Sequence, residues 1–143
     1  MTSFVLDASV AAKWMLPAEN EPLRAEAFQV LDGFAASEFE LLVPDIFWAE
    51  CGNVLWKAVR QERLARADAD LALTSMLRLD FPTFPSSKLL ADALPIAFSF
   101  GRAVYDCLYV ALALQSKTQF ITADERLANA LAANLPVKWL GAL

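Results

Sequence analysis

"TQFITADERLANALAANLPVKWL", residues 118–140, reads as a strand, a helix and a second strand in succession. "TQFIT" (118–122) is a short apolar run, "DERLANALAAN" (124–134) is helical, and "PVKWL" (136–140) is extended again. Two strands joined by a helix lie parallel, because only a long crossover can bring the chain back to the same end of a sheet. This unit predicts an α/β class with a mainly parallel sheet.

The same alternation continues outward along the chain. "SFVLD" (3–7) is an apolar strand ending in Asp, and "ASVAAKWML" after it is a short helix stopped by Pro17. "EPLRAEAFQVLDGFAAS" (21–37) is an amphipathic helix and "ELLVP" (40–44) a second strand. Asp45 then stands as N-cap to the helix "IFWAECGNVLWKAVRQERL", and "ARADADLALTSMLRLD" follows as another helix. "FPTFP" (81–85) suits an edge strand, since proline cannot donate to a ladder. "SSKLLADALPIAFSFG" opens like a capped helix and is expected to kink or break at Pro95. "RAVYDCLYVALALQ" (102–115) is a nearly all-apolar helix whose one carboxylate, Asp106, lies close to its start. No linker, repeat or low-complexity run interrupts the pattern, so residues 1–143 read as a single domain.

Composition narrows the chemistry. Hydrophobic residues make up 57% of the chain, yet no window holds 18 uncharged apolar residues, and the longest candidate is broken by Arg102 and Asp106. A membrane span is therefore not expected; the apolar excess is expected to be covered by a partner or a second copy. "MTSFVLDASV" carries no basic and apolar export signal, and the two cysteines, Cys51 and Cys107, suit a reduced cytoplasmic setting. A net charge of −5 argues against holding nucleic acid by bulk charge, though not against one local basic patch. The chain has no histidine, which removes histidine general bases, Ser-His-Asp and Cys-His arrangements and His-ligated zinc. Hydrolysis here would have to use carboxylates with a hard metal.

The carboxylates fall where that chemistry needs them. Ligands of open α/β sheets collect outside the carboxyl ends of the strands. Asp7 ends the first strand, Asp124 follows "QFIT", Glu50 lies early in the helix after "ELLVP", and Asp106 opens its own helix. Four acids from distant segments can thus meet on one rim. Their mutual repulsion is relieved by a divalent cation, and all-oxygen ligation points to Mg²⁺ or Mn²⁺. Such a site acidifies water and stabilises phosphoryl displacement. Each acid also has a plain structural reading: Asp7 and Asp124 as helix N-caps, Glu50 as part of a solvated stripe with Asn53 and Lys57, Asp106 as a protonated or capped structural residue.

"VLDAS", "VPDIFWAECGNVL", "YDCLYVALA" and "ITADERL", in this order and at these separations, resemble the PIN-domain family, in particular its small bacterial VapC-type toxins. The likeness covers essentially the whole chain. It implies a single PIN-like domain whose central, mostly parallel sheet of four to five strands is flanked by helices. It also implies an endoribonuclease dependent on Mg²⁺ or Mn²⁺, with Asp7, Glu50, Asp106 and Asp124 as catalytic and metal-holding acids. Ser9, Asn53 and Thr122 match the small polar residues that support such sites; each could equally bond its local backbone. The resemblance further implies an RNA substrate, a homodimer and a small antitoxin whose tail blocks the groove.

Lys57, Arg60, Arg63 and Arg66 form either an RNA-backbone stripe or a solvated face near a helix C-terminus. Lys13 and Arg102 are candidates for RNA phosphate contact because each lies near a proposed ligand in sequence. Cys51 and Cys107 follow proposed ligands directly and point about 100° away on a helix, so they are expected to pack. Trp14, Trp48, Trp56 and Trp139 are expected in the core or a dimer face rather than stacking bases. Two other functions stay open: a catalytically inactive PIN-like interaction module, and a phosphorylation-driven receiver, for which "FVLDAS" has only one acid and the lysine required after the fourth strand is not evident.

Overall fold

A computed structural model describes residues 2–17 and 21–143. Among the described residues it contains five strands in one sheet: β1 (Ser3–Leu6), β2 (Glu40–Pro44), β3 (Thr83–Phe84), β4 (Gln119–Thr122) and β5 (Val137–Trp139). Their order is β3-β2-β1-β4-β5 and every pairing is parallel. Seven α-helices accompany them: α1 (Ala8–Met15), α2 (Arg24–Ala35), α3 (Ile46–Arg60), α4 (Arg66–Arg78), α5 (Leu90–Phe100), α6 (Val104–Gln115) and α7 (Glu125–Leu131). The expected α/β architecture with a parallel sheet is the one observed.

The strand sequences explain the layering. Val5, Leu6, Leu41, Val43, Phe120 and Ile121 are buried as continuous apolar runs rather than alternating ones, as in parallel sheets covered by helices on both faces. α6 is the most deeply packed helix: every residue from Cys107 to Ala113 is buried, and it lies across β1, β2 and β4 with α5 beside it. The short β3, flanked by Pro82 and Pro85, takes the edge next to β2, where missing donors cost no ladder bonds. α5 and α6 are joined through Gly101, whose φ of +64° glycine adopts without strain, and the two helices bend by 120°. Among the described residues no single helix is long and apolar enough to cross a membrane.

The chain leaves β1 for β2 and β3 on one side and returns to β4 and β5 on the other, so the direction of winding reverses between β1 and β4. The Asp7 N–H donates to the Ile121 carbonyl (3.1 Å), which aligns the carboxyl ends of these two strands. A crevice outside the strands is expected at this reversal.

At two positions the structure departs in part from the sequence expectation, for physical reasons. Asp45 precedes α3, but its carboxylate makes no cap there. It instead accepts from the Ser86 N–H (2.9 Å) and the Ser86 hydroxyl, tying the start of α3 to the turn after β3, and these bonds hold its carboxyl below the usual range. Pro95 neither ends nor breaks α5, which runs through it from Leu90 to Phe100. Pro95 and Ala91, whose carbonyl loses its helical donor, are both exposed, so water can satisfy that carbonyl. Pro95→Ala should restore the bond and raise stability by about 2 kcal/mol, the helix-interior cost of proline less its entropic benefit in the unfolded chain. A urea melt measures this, and an unchanged or lower midpoint would contradict it.

Candidate functional site

At the carboxyl edge of the sheet a cavity of about 430 Å³ is lined by Asp7, Ala8, Ser9, Ala49, Glu50, Asn53, Val54, Asp106, Asp124 and Leu127. The four acids singled out in the sequence therefore face one pocket, although they come from β1's end, α3, α6 and the start of α7.

Asp7 is at the pocket's base. Its Oδ2 accepts from the Thr122 hydroxyl (2.6 Å) and the Ser9 hydroxyl (2.7 Å). Both hydroxyls in turn accept backbone N–H groups, Thr122 from Asp124 (3.0 Å) and Ser9 from Ala123 (3.0 Å). The chain after β4 thereby fixes which way each hydroxyl proton points. With Oδ2 doubly engaged, Oδ1 is the oxygen left for the pocket. Asp7 occupies the N-cap position of α1 without a side-chain cap hydrogen bond, and the Ser9 backbone N–H adds a small pull on its carboxyl. Ser9 and Thr122, the latter fully buried, act as supports for Asp7.

Asp124 is both a helix cap and part of the pocket wall. Its Oδ1 caps α7 by accepting from the Leu127 N–H (3.1 Å), and the residue also lines the pocket. Asp106 sits in the first turn of α6, where the helix dipole favours a carboxylate, and among the described residues its side chain has no hydrogen-bond partner. Glu50 is half-buried on α3 and its Oε1 accepts from the Tyr109 hydroxyl at 2.5 Å. Asn53, one turn along α3, is exposed at the rim.

The electrostatics are those of crowded like charges. Burial pushes the Asp7 carboxyl up; the Thr122 and Ser9 hydroxyls pull it part of the way back, and the charge of Asp106 adds to the rise. Burial raises Glu50 too, against the Tyr109 hydroxyl and with the help of Asp7 and Asp106. Asp106 is raised by burial and by Asp124, with Arg102 opposing. Among the described residues no three of these groups already stand in a geometry ready to grip an ion. The donor set nevertheless fits a hard divalent cation: carboxylate oxygens only, with Asp7 Oδ1 and both Asp106 oxygens left without protein partners among the described residues.

Lys13 is not brought to this pocket. Its side chain is 8% exposed and pairs with Glu21 Oε1 at 3.1 Å, because α1 turns it away from the carboxyl edge that Asp7 and Ser9 face. Arg102 stays near Asp106 and donates to the Arg126 carbonyl (3.2 Å). The α3–α4 cations are largely engaged locally: Arg60 lies over Trp56, Arg63 approaches Glu21 and Arg66 pairs with Asp70. Cys51 and Cys107 are buried, as expected; burial pushes the Cys51 thiol up to about 12. Trp56, at 54% exposed, lies outside the core of the single chain.

Tyr109 is the site residue that sequence reasoning passed over as part of an apolar helix. The available signal was its hydroxyl: a phenol on the buried face of such a helix needs a polar partner.

The PIN domain sequence model matches residues 4–131. Ribonuclease VapC3 of Pyrobaculum aerophilum is 29% identical over 127 residues, covering 87% of this chain and 92% of that protein. Among solved structures, PAE2754 from Pyrobaculum aerophilum superposes with a TM-score of 0.70 at 23% identity, over 99% of this chain and 85% of that one. VapBC2 from Rickettsia felis, solved bound to a DNA fragment from its promoter, gives 0.66 at 11% identity, over 96% and 98% of the two chains.

The raised carboxyls set a pH dependence. Asp7, Glu50 and Asp106 hold protons in the folded, metal-free protein at pH values where the unfolded chain, near 3.8 for Asp and 4.5 for Glu, has released them. Stability should therefore fall as pH rises from about 4 through the raised values. Urea melts in chelator at stepped pH measure it, and stability that climbs over that range would refute it.

Proposed function

The chain belongs to the PIN domain family, and from that premise we propose that it is an endoribonuclease dependent on Mg²⁺ or Mn²⁺, the toxin of a toxin–antitoxin pair. The observation that carries this reading is the meeting of Asp7, Glu50, Asp106 and Asp124 in one pocket of a chain without histidine. The relative named a ribonuclease and the VapBC2 complex support it.

In this reading the four acids hold the cation. Bound there, it would supply the positive charge that acidifies water and offsets charge developing on a phosphodiester. Ser9 and Thr122 keep Asp7 Oδ1 turned to the pocket by occupying Oδ2. Asp124 is steadied by the cap it makes on α7. Asn53 offers an amide at the rim, where an RNA strand would pass. Arg102, close to Asp106, is the cation best placed to meet an RNA phosphate, which a chain of net charge −5 must attract locally.

The antitoxin would cover this acidic groove. A second copy of the chain would cover the α5 stripe of Leu90, Leu94 and Phe98, three exposed apolar residues spaced four apart. The competing reading, an inactive PIN-like module, has no missing acid to support it, and family membership leaves a receiver domain without support.

The test is cleavage of RNA by purified protein with Mg²⁺ or Mn²⁺. Asp7→Asn and Asp106→Asn, of equal foldedness, should each lose about 100-fold or more, the loss expected when several kcal/mol of metal-derived stabilisation is removed. Chelator should abolish cleavage in the parent. Cleavage by Asp7→Asn at the parent's rate, or undiminished by chelator, would overturn the proposal.

A further inference from the structure

Tyr109 sits at the junction of three elements that build the pocket. It is 1% exposed, one turn after Asp106 on α6, with its ring stacked on Phe120 of β4 at 5.0 Å and 19°. Its hydroxyl crosses to α3 and donates to Glu50 Oε1. Among the described residues this is the only hydrogen bond of the Glu50 side chain.

Glu50 needs such a tether more than its neighbours do. Asp7 is short and already clamped by two hydroxyls, and Asp124 is clamped by its helix cap. A glutamate has an extra torsion and loses more rotamer freedom when ordered. Like charges on Asp7 and Asp106 also push its carboxylate away from the pocket they share. A rigid donor behind Oε1 opposes that push and leaves Oε2 free. The rigidity comes from the ring, held between Phe120 and the packed body of α6, so a flexible hydroxyl residue could not substitute.

We infer that Tyr109 is a positioning residue of the proposed metal site, its buried phenol holding the Glu50 carboxylate toward the pocket as Ser9 and Thr122 hold that of Asp7. The inference rests on the metal-dependent reading above and adds a residue to it. Donors placed behind a ligating group typically change metal affinity by about 10- to 100-fold when removed. They do so by pre-orienting the ligand, with no contact to the ion themselves.

The experiment titrates Mn²⁺ alone by calorimetry into the parent, Tyr109→Phe, Glu50→Gln and the double variant, with a thermal melt of each. Phenylalanine keeps the ring and its stack and removes only the donor. Tyr109→Phe should bind Mn²⁺ about 10- to 100-fold more weakly, and adding it to Glu50→Gln should cost nothing further. Parent-like affinity in Tyr109→Phe would overturn the inference, as would an equal loss in both backgrounds, which would mark a packing effect. A parent that takes up no Mn²⁺ would instead overturn the metal reading and this inference with it. A second measurement needs no variant. The chain has two tyrosines, so ring-labelled tyrosine gives two NMR signals, with Tyr105, 63% exposed, as the internal control. The Tyr109 signal should shift on Mg²⁺ addition with the midpoint of binding; a Tyr109 signal that stays still while Mg²⁺ binds would refute the coupling.

Discussion

A carboxylate placed where water cannot fully reach it must be compensated, and at Asp7 the compensation spans the chain. The Thr122 hydroxyl that donates to it lies 115 residues away in sequence. That contact exists only because β1 and β4 are adjacent and in register, with Leu6 opposite Ile121. The rest of the site is arranged around this junction. The N–H groups after β4 orient the two supporting hydroxyls, α7 starts from Asp124, and α6 delivers Asp106 to the same edge.

The compensation is incomplete. Hydrogen bonds lower the Asp7 carboxyl, yet burial and the charge of Asp106 outweigh them. Glu50 and Asp106 show the same imbalance. A pocket that left its acids fully satisfied by the protein would have no demand for an external cation. This one leaves repulsion unrelieved and concentrates it at a reversal in strand order, where a cavity forms without any special loop. Stability withheld at a site in this way is a common accompaniment of function.

Much of this was legible along the chain because the signals were local. Short apolar runs marked the strands; Asp7 fell at a strand end, Asp124 just beyond one, Asp106 in a first helical turn and Glu50 in the early turns of the helix after β2. That was enough to nominate Asp7, Glu50, Asp106 and Asp124. What misled was also local. Asp45 precedes a helix and reads as its cap, but a partner 41 residues on, Ser86, takes its carboxylate. Lys13 is near Asp7 in sequence, yet the turn of α1 hands its ammonium to Glu21. Tyr109 is invisible in an apolar pattern, since its partner lies 59 residues away on another helix.

The sequence by itself determined the class of the fold, the parallel sense of the sheet, the absence of histidine chemistry and the acids that line the pocket. These follow from composition and short-range periodicity, which are properties of neighbours along the chain. Only the tertiary structure decided which oxygen of Asp7 is free and which way the Ser9 and Thr122 protons point. It alone decided that Asp124 serves as cap and pocket wall together, and that a tyrosine stands behind Glu50. Those outcomes depend on hydrogen bonds between segments far apart in sequence, and their distances and directions are set by strand register and helix packing.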